Sequence, residues 1–208
     1  MNRAMELSML LTLPAAAALM IIPEEIITVL FQHGEFTETA SLATAMALLA
    51  FATGLPAYVL VKILAPGFFA REDTTTPVVA GVLAMILNVI LSLVLIRYID
   101  HVGIAVATSL SSWFNVIFLF ITLRRRGHYT ADKRLLRRLV GIILATIIMA
   151  GSLYIARDFL DSLFAGDVTN RIMALGALVA GGGGIYVIGV LITGAAPLTD
   201  IKNMLKRR

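Results

Sequence analysis

Long apolar runs alternate with short charged connections along the whole chain. About 20 apolar residues suffice for a helix to cross a bilayer. Six runs are read as spans, at about 7–22, 41–70, 77–96, 103–123, 139–156 and 172–192. The first contains Pro14, and the second is long enough to tilt or bend. A shorter stretch, "PEEIITVLFQHGEF", cannot cross. Pro23 suits a helix start, and Glu24 and Glu25 fall in the first turn, where the helix dipole favours anions. This predicts a short interfacial helix over 23–31, ending near Gly34. The expected fold is all-α: a polytopic membrane bundle of six spans plus one interfacial helix. Residues 1–138 would hold four spans, the interfacial helix and a basic connection at 124–138. Residues 139–208 would hold the last two spans and a basic tail.

Composition supports that reading. The 208 residues are 59% hydrophobic and 14% charged, where soluble domains average about 25% charged. So few charges cannot cover a water-exposed surface. The absence of cysteine excludes disulfides and thiolate metal sites. His33, His101 and His128 lie far apart in polar connections, so no metal cluster is expected. No G-x-S-x-G, H-E-x-x-H or Walker A pattern occurs, and neither an enzyme nor a cofactor is predicted. Met1–Glu6 is polar, and the run after it has no clear cleavage site, so no cleavable leader is expected.

Charge then orients the bundle. With an even number of spans, both termini share one side, and 13 of the 17 basic residues fall there. The other side holds Arg97, Arg157 and Arg171, together with 8 of the 13 acids. The positive-inside rule therefore places both termini in the cytoplasm. The cluster "RRRGHYTADKRLLRR" (124–138) sets topology and attracts anionic lipid. No aromatic platform accompanies it, so nucleic acid is not an expected partner.

Lys62 stands out inside the second span. A lysine near the membrane centre costs about 2.5–3.5 kcal/mol on insertion scales. It lies roughly 12–14 Å from Arg71 at 1.5 Å per residue. One reading is a lysine that snorkels or meets a buried carbonyl. The other is a cation facing a polar cavity. Gly54, Pro56, Pro66 and Gly67 bracket it and are candidate helix breaks or hinges, a feature tolerated beside wet cavities. In the cytoplasmic turn "AREDTTTP", Arg71 can pair with Asp73 or Glu72, and Pro77 starts the next helix. Gly103, Ala107, Ser111 and Asn115 repeat every four residues and predict close helix packing, with Asn88 as a partner for Asn115. Gly176, Ala180 and Gly184 repeat likewise in "GALVAGGGGIYVIG" and predict a packing or lipid-exposed, deformable stripe.

Two segments, "FQHGEFT" (Phe31–Thr37) and "GLPAYVLVKILAPGFFAREDTTTPV" (Gly54–Val78), resemble the MurJ/MviN lipid II flippases of the multidrug/oligosaccharidyl-lipid/polysaccharide flippase superfamily. The family pattern is matched at Phe31, Gly34, Phe36, Thr37, Gly54, Leu55, Pro56, Lys62, Leu64, Phe68, Ala70, Arg71, Asp73, Thr74, Thr76, Pro77 and Val78. It is departed from at Ile63 and Phe69. The resemblance implies the last six of about fourteen spans in a two-lobe fold of the bacterial cytoplasmic membrane. It implies a central cavity for a lipid-linked anionic sugar precursor, candidate cavity residues Lys62, Arg71 and Asp73, and a tail groove over 139–192. The partners it implies are that precursor, membrane lipids and the earlier spans of the same protein. The family's important arginines lie mostly in those earlier spans, so none is carried over. Met1 fits either a true short gene or an internal methionine of a longer one. A related exporter of another polysaccharide lipid or a drug, and a non-transporting six-span scaffold, are the competing expectations.

Overall fold

The computed structural model describes residues 1–32, 37–130, 132–164 and 166–195. The described elements are all helical: α1 (Asn2–Ile21), α2 (Pro23–Phe31), α3 (Glu38–Phe69), α4 (Thr75–Ile99), α5 (Val102–Arg125), α6 (Lys133–Phe164) and α7 (Val168–Ile192). Six are long and apolar enough to cross a membrane, and α2 is the short exception. Pro23 opens α2 and Glu24 and Glu25 occupy its first turn, as expected. The expected stop at Gly34 lies outside the described residues.

Helix ends reach beyond the apolar runs. α6 begins at Lys133, so the second half of the expected basic connection is helix, and it continues to Phe164 rather than ending near 156. The reason is general: hydropathy marks the part of a helix immersed in hydrocarbon, whereas hydrogen bonding carries the helix on into the polar zone.

α3 is the central element. Thr37 caps it by accepting from the Ala40 N–H at 3.3 Å. Its 32 residues make a rod of about 48 Å at 1.5 Å per residue. α3 packs on α5 on one side and on α1 and α2 on the other. α5 pairs with α4, α1 also packs on α6, and α6 pairs with α7. Two apolar cores result. One joins Leu64 and Phe68 to Leu119, Leu123, Met5 and Leu135. The other joins Ile142, Met149 and Leu153 to Leu178, Tyr186 and Ile22. The outer faces of α4, α6 and α7 stay exposed and apolar.

The expected helix breaks do not occur: α3 runs unbroken through Gly54, Pro56, Pro66 and Gly67. Each proline removes one N–H from the ladder, the one that would reach the carbonyl four residues back, at Ala52 and Lys62, and the helix continues without it. Ser109 Oγ donates to the Ala50 carbonyl at 2.7 Å, and Trp113 Nε1 donates to the Thr53 carbonyl at 3.0 Å. The glycines allow close approach. A Cβ on Gly54 would lie 2.7 Å from Ser109 Oγ, and one on Gly67 would lie 2.8 Å from Met1 Sδ.

Candidate functional site

Lys62 opens onto a cleft of about 430 Å³ between α3, α4 and α5. The walls follow from helical spacing. Tyr58 and Lys62 are four residues apart on one face of α3. Thr108, Ser111, Ser112 and Asn115 form one polar stripe on α5, and Asn88 faces them from α4. Asn88 Nδ2 donates to Thr108 Oγ1 at 3.2 Å and to Ser111 Oγ at 3.3 Å. Ser92 Oγ donates to Asn88 Oδ1 at 3.1 Å. The hydroxyls of Ser111 and Ser112 donate to the Thr108 carbonyl at 3.0 and 2.7 Å.

Two groups in the cleft are left over. Asn115 Oδ1 is buried without a hydrogen-bond partner. Among the described residues no carboxylate forms a salt bridge with the Lys62 ammonium. Both are costly in a membrane interior unless a polar cargo or water meets them. The expected Asn88–Asn115 bond is not made, because Asn88 is held by the hydroxyls nearer the start of α5. Tyr58, Thr108 and Ser112 were not singled out from sequence. The i, i+4 offset from Lys62, and the i, i+3, i+4 and i+7 spacing from Thr108, are signals that could have found them.

Arg71 and Asp73 stand apart from this cleft. Asp73 caps α4: its carboxylate accepts from the Thr76 N–H at 3.0 Å and from the Thr76 hydroxyl at 2.6 Å. Arg126, beyond α5, also donates to it. The two Thr76 bonds, with Arg126 adding to them, hold the Asp73 carboxyl down at about 2. Arg71 instead donates to the Gly67 carbonyl at 2.7 Å and the His128 carbonyl at 3.5 Å. The expected Arg71–Asp73 pair is therefore replaced by two ties from the α3–α4 turn to the α5–α6 connection. Asp73 precedes α4 closely enough for its carboxylate to reach an open N–H of the first turn, while Arg71 turns back to a carbonyl near the end of α3, as basic side chains do at helix C-termini.

The two small-residue stripes fare differently. Gly103, Ala107 and Ser111 are buried, and a Cβ on Gly103 would lie 2.6 Å from the Leu95 carbonyl carbon. Asn115 turns to the cleft. Gly176, Ala180 and Gly184 are exposed, and a Cβ on either glycine meets nothing within 4 Å. The packing stripe of α7 is Ala174, Leu178, Gly182, Tyr186 and Val190, offset by two residues. With glycines on several faces of α7, small size alone does not choose a face. The large residues Leu178 and Tyr186 choose it by filling the α6 groove.

Further ties join α1 and α2 to α6. Glu6 of α1 is buried and accepts from Arg138 of α6 at 2.7 Å, with Arg134 at 3.8 Å. Glu25 of α2 lies 3.9 Å from Arg157 of α6. Burial pushes the Glu25 carboxyl above its ordinary range, opposed by a backbone hydrogen bond and by Arg157.

Six helices long and apolar enough to cross a membrane, three of them lining a cleft with a lysine, amides and hydroxyls, define a multi-pass membrane protein that keeps polar groups at spanning depth. The family model described as "Lipid II flippase MurJ" matches residues 1–173, and the chain belongs to that family. A protein of Rhizobium meliloti (strain 1021), named "Probable lipid II flippase MurJ", is 39% identical over 208 residues, covering 99% of this chain and 39% of the relative. One of Rhizobium tropici with the same name is 35% identical over 209 residues, covering 100% of this chain and 39% of the relative. A solved structure, "Lipid II flippase MurJ, inward closed conformation", superposes with a TM-score of 0.72 at 23% identity, covering 93% of this chain and 37% of its own. That likeness shows the fold. The chain thus spans about two fifths of the length of the curated relatives it matches.

Proposed function

We propose that this chain is the C-terminal six-span portion of a lipid II flippase of the bacterial cytoplasmic membrane, a transporter rather than an enzyme. A flippase must carry a polar, anionic head through the membrane while the tail stays in lipid. The observation that supports this is Lys62 with Asn115 in the α3–α4–α5 cleft: a cation and an unpartnered amide oxygen at spanning depth, in a family named for lipid II. Lys62 would hold the pyrophosphate, and the amides and hydroxyls would meet sugar or peptide groups. The earlier spans of the longer protein would supply the facing wall, and alternating access would open it to each side in turn. The exposed apolar faces of α6 and α7 would carry the tail.

The test is growth of flippase-depleted cells on the full-length protein carrying Lys62→Arg or Lys62→Met. Arginine keeps the charge, whereas methionine keeps most of the stem. At equal protein levels, Met should impair growth and Arg should largely support it. If the lysine only snorkels, Met is tolerated, since its insertion cost disappears.

We further propose that both termini are cytoplasmic, on the strength of the basic-residue asymmetry. The chain has no native cysteine, so single substitutions report cleanly. In intact cells a cysteine at Thr130 should resist a membrane-impermeant reagent, and one at Thr169 should react. The reverse pattern overturns the orientation.

A further inference from the structure

We propose that Pro14 of α1 and Tyr186 of α7 form a matched pair: the proline frees a backbone carbonyl, the phenol claims it, and the bond fixes the register of α7 in the bundle. The inference requires only that both helices cross a membrane, not that the protein moves lipid II.

The freed carbonyl is the first reason. α1 runs unbroken through Pro14. Proline brings no N–H, so the carbonyl four residues back, at Leu10, loses its helical donor. Leu10 stands near the middle of α1, where hydrocarbon offers no replacement and an unpaired carbonyl is costly. The Tyr186 hydroxyl donates to that carbonyl at 2.6 Å. The bond is sheltered. Tyr186 is buried among Ile142, Met149 and Leu153 of α6, and Leu10 packs against the same core.

The second reason is how little else fixes α7 along its axis. α6 is pinned to α1 by Glu6–Arg138 and to α2 by Glu25–Arg157. Among the described residues α7 forms no ion pair, and no other side chain of α7 hydrogen-bonds to another helix. Part of its face on α6 is smooth: a Cβ on Gly182 would lie 2.8 Å from Leu153 Cδ2, and one on Gly189 would lie 3.1 Å from Ala145 Cβ. Gly176, Gly181, Gly183 and Gly184 leave other faces bare, since a Cβ on any of them meets nothing within 4 Å. Bulk at Leu178 and Val190 holds α7 against α6, but apolar contact is non-directional. A hydrogen bond is directional and weakens steeply when misaligned. A slide of one turn, about 5.4 Å, would break it and leave both groups unpaired in hydrocarbon. Bulk thus selects the face of α7, and the phenol selects its height.

The experiment measures register in the full-length protein in membranes. Cysteines are placed at Ala145 with Gly189, the in-register pair, or at Ala145 with Ile185, one turn away. Membranes are mildly oxidised and cut at a protease site inserted between α6 and α7, and the fragments that stay joined are counted. The readout is the ratio of off-register to in-register product. Tyr186→Phe keeps the ring and should raise that ratio roughly threefold to fifteenfold, the range for one interhelical hydrogen bond in a bilayer. Pro14→Ala returns an N–H to the Leu10 carbonyl, which then stays paired with or without the phenol. In that background Tyr186→Phe should change the ratio by less than about twofold, a coupling that the double-mutant cycle isolates. An unchanged ratio for Tyr186→Phe in the parent overturns the proposal. An equal rise in both backgrounds also overturns it, because the phenol then acts independently of the proline. Loss of both products would mean that α7 leaves α6 altogether, and it overturns a device that sets register alone.

Discussion

Gly103→Ala is expected to lower the folded fraction of the chain sharply, while Gly176→Ala leaves it unchanged or raises it. In a helix interior alanine is better than glycine by up to about 1 kcal/mol. At Gly176 nothing lies within 4 Å of the added carbon, so that gain stands alone. At Gly103 the added carbon would lie 2.6 Å from the Leu95 carbonyl carbon and 2.7 Å from its oxygen. Those are backbone atoms of α4 and cannot rotate away. Overpacking costs roughly 1–3 kcal/mol, occasionally more, and here the α4–α5 pair must separate to relieve it. The clash outweighs the propensity gain. Survival of detergent-solubilised protein after a heat challenge measures both variants, and equal survival would contradict the close α4–α5 contact.

Glu6→Leu is the second substitution with a large expected effect. Its carboxylate is 7% exposed and that of its partner, the Arg138 side chain, 15%. Removing one member of a buried ion pair costs about 3–5 kcal/mol, because the other charge stays buried. Typical domains have only about 5–15 kcal/mol to lose. The pair ties α1 to α6, and hence the α3-centred core to the α6–α7 pair. Arg138→Met should be damaging for the same reason. The double variant, with both charges gone, should recover much of the loss. Single variants within about 1 kcal/mol of the parent would mean the pair acts like a solvated surface pair.

Much of this architecture is legible in the residues. Six apolar runs became six spanning helices, and Pro23-Glu24-Glu25 marked α2. What hydropathy could not give was the helix ends, since Lys133–Arg138 is helical despite its charge. Proline at 56 and 66 suggested breaks, yet α3 runs through both. The Lys62 cleft was half legible. The lysine could be named from its depth, but Ser111 and Asn115 were expected to pack helices, and Tyr58, Thr108 and Ser112 join them only once α3, α4 and α5 are packed. Arg71 and Asp73 looked like cavity residues because they adjoin the same motif. Capping chemistry drew Asp73 to Thr76 and Arg126 instead. Four-residue spacing was sound for Gly103 and misleading for Gly176, because spacing fixes a stripe and only the neighbouring bulk fixes which stripe is covered.

Binding of the polar head of lipid II in the Lys62 cleft, as proposed, requires contact between the two. A photoreactive phenylalanine analogue at Tyr58, which lines the cleft, and another at Tyr98, 80% exposed at the end of α4, are placed in the full-length protein and irradiated in membranes containing labelled lipid II. A lipid II adduct that unlabelled lipid II suppresses is expected from position 58, and none above background from position 98. An adduct at both positions, or only bulk phospholipid captured at 58, would contradict it.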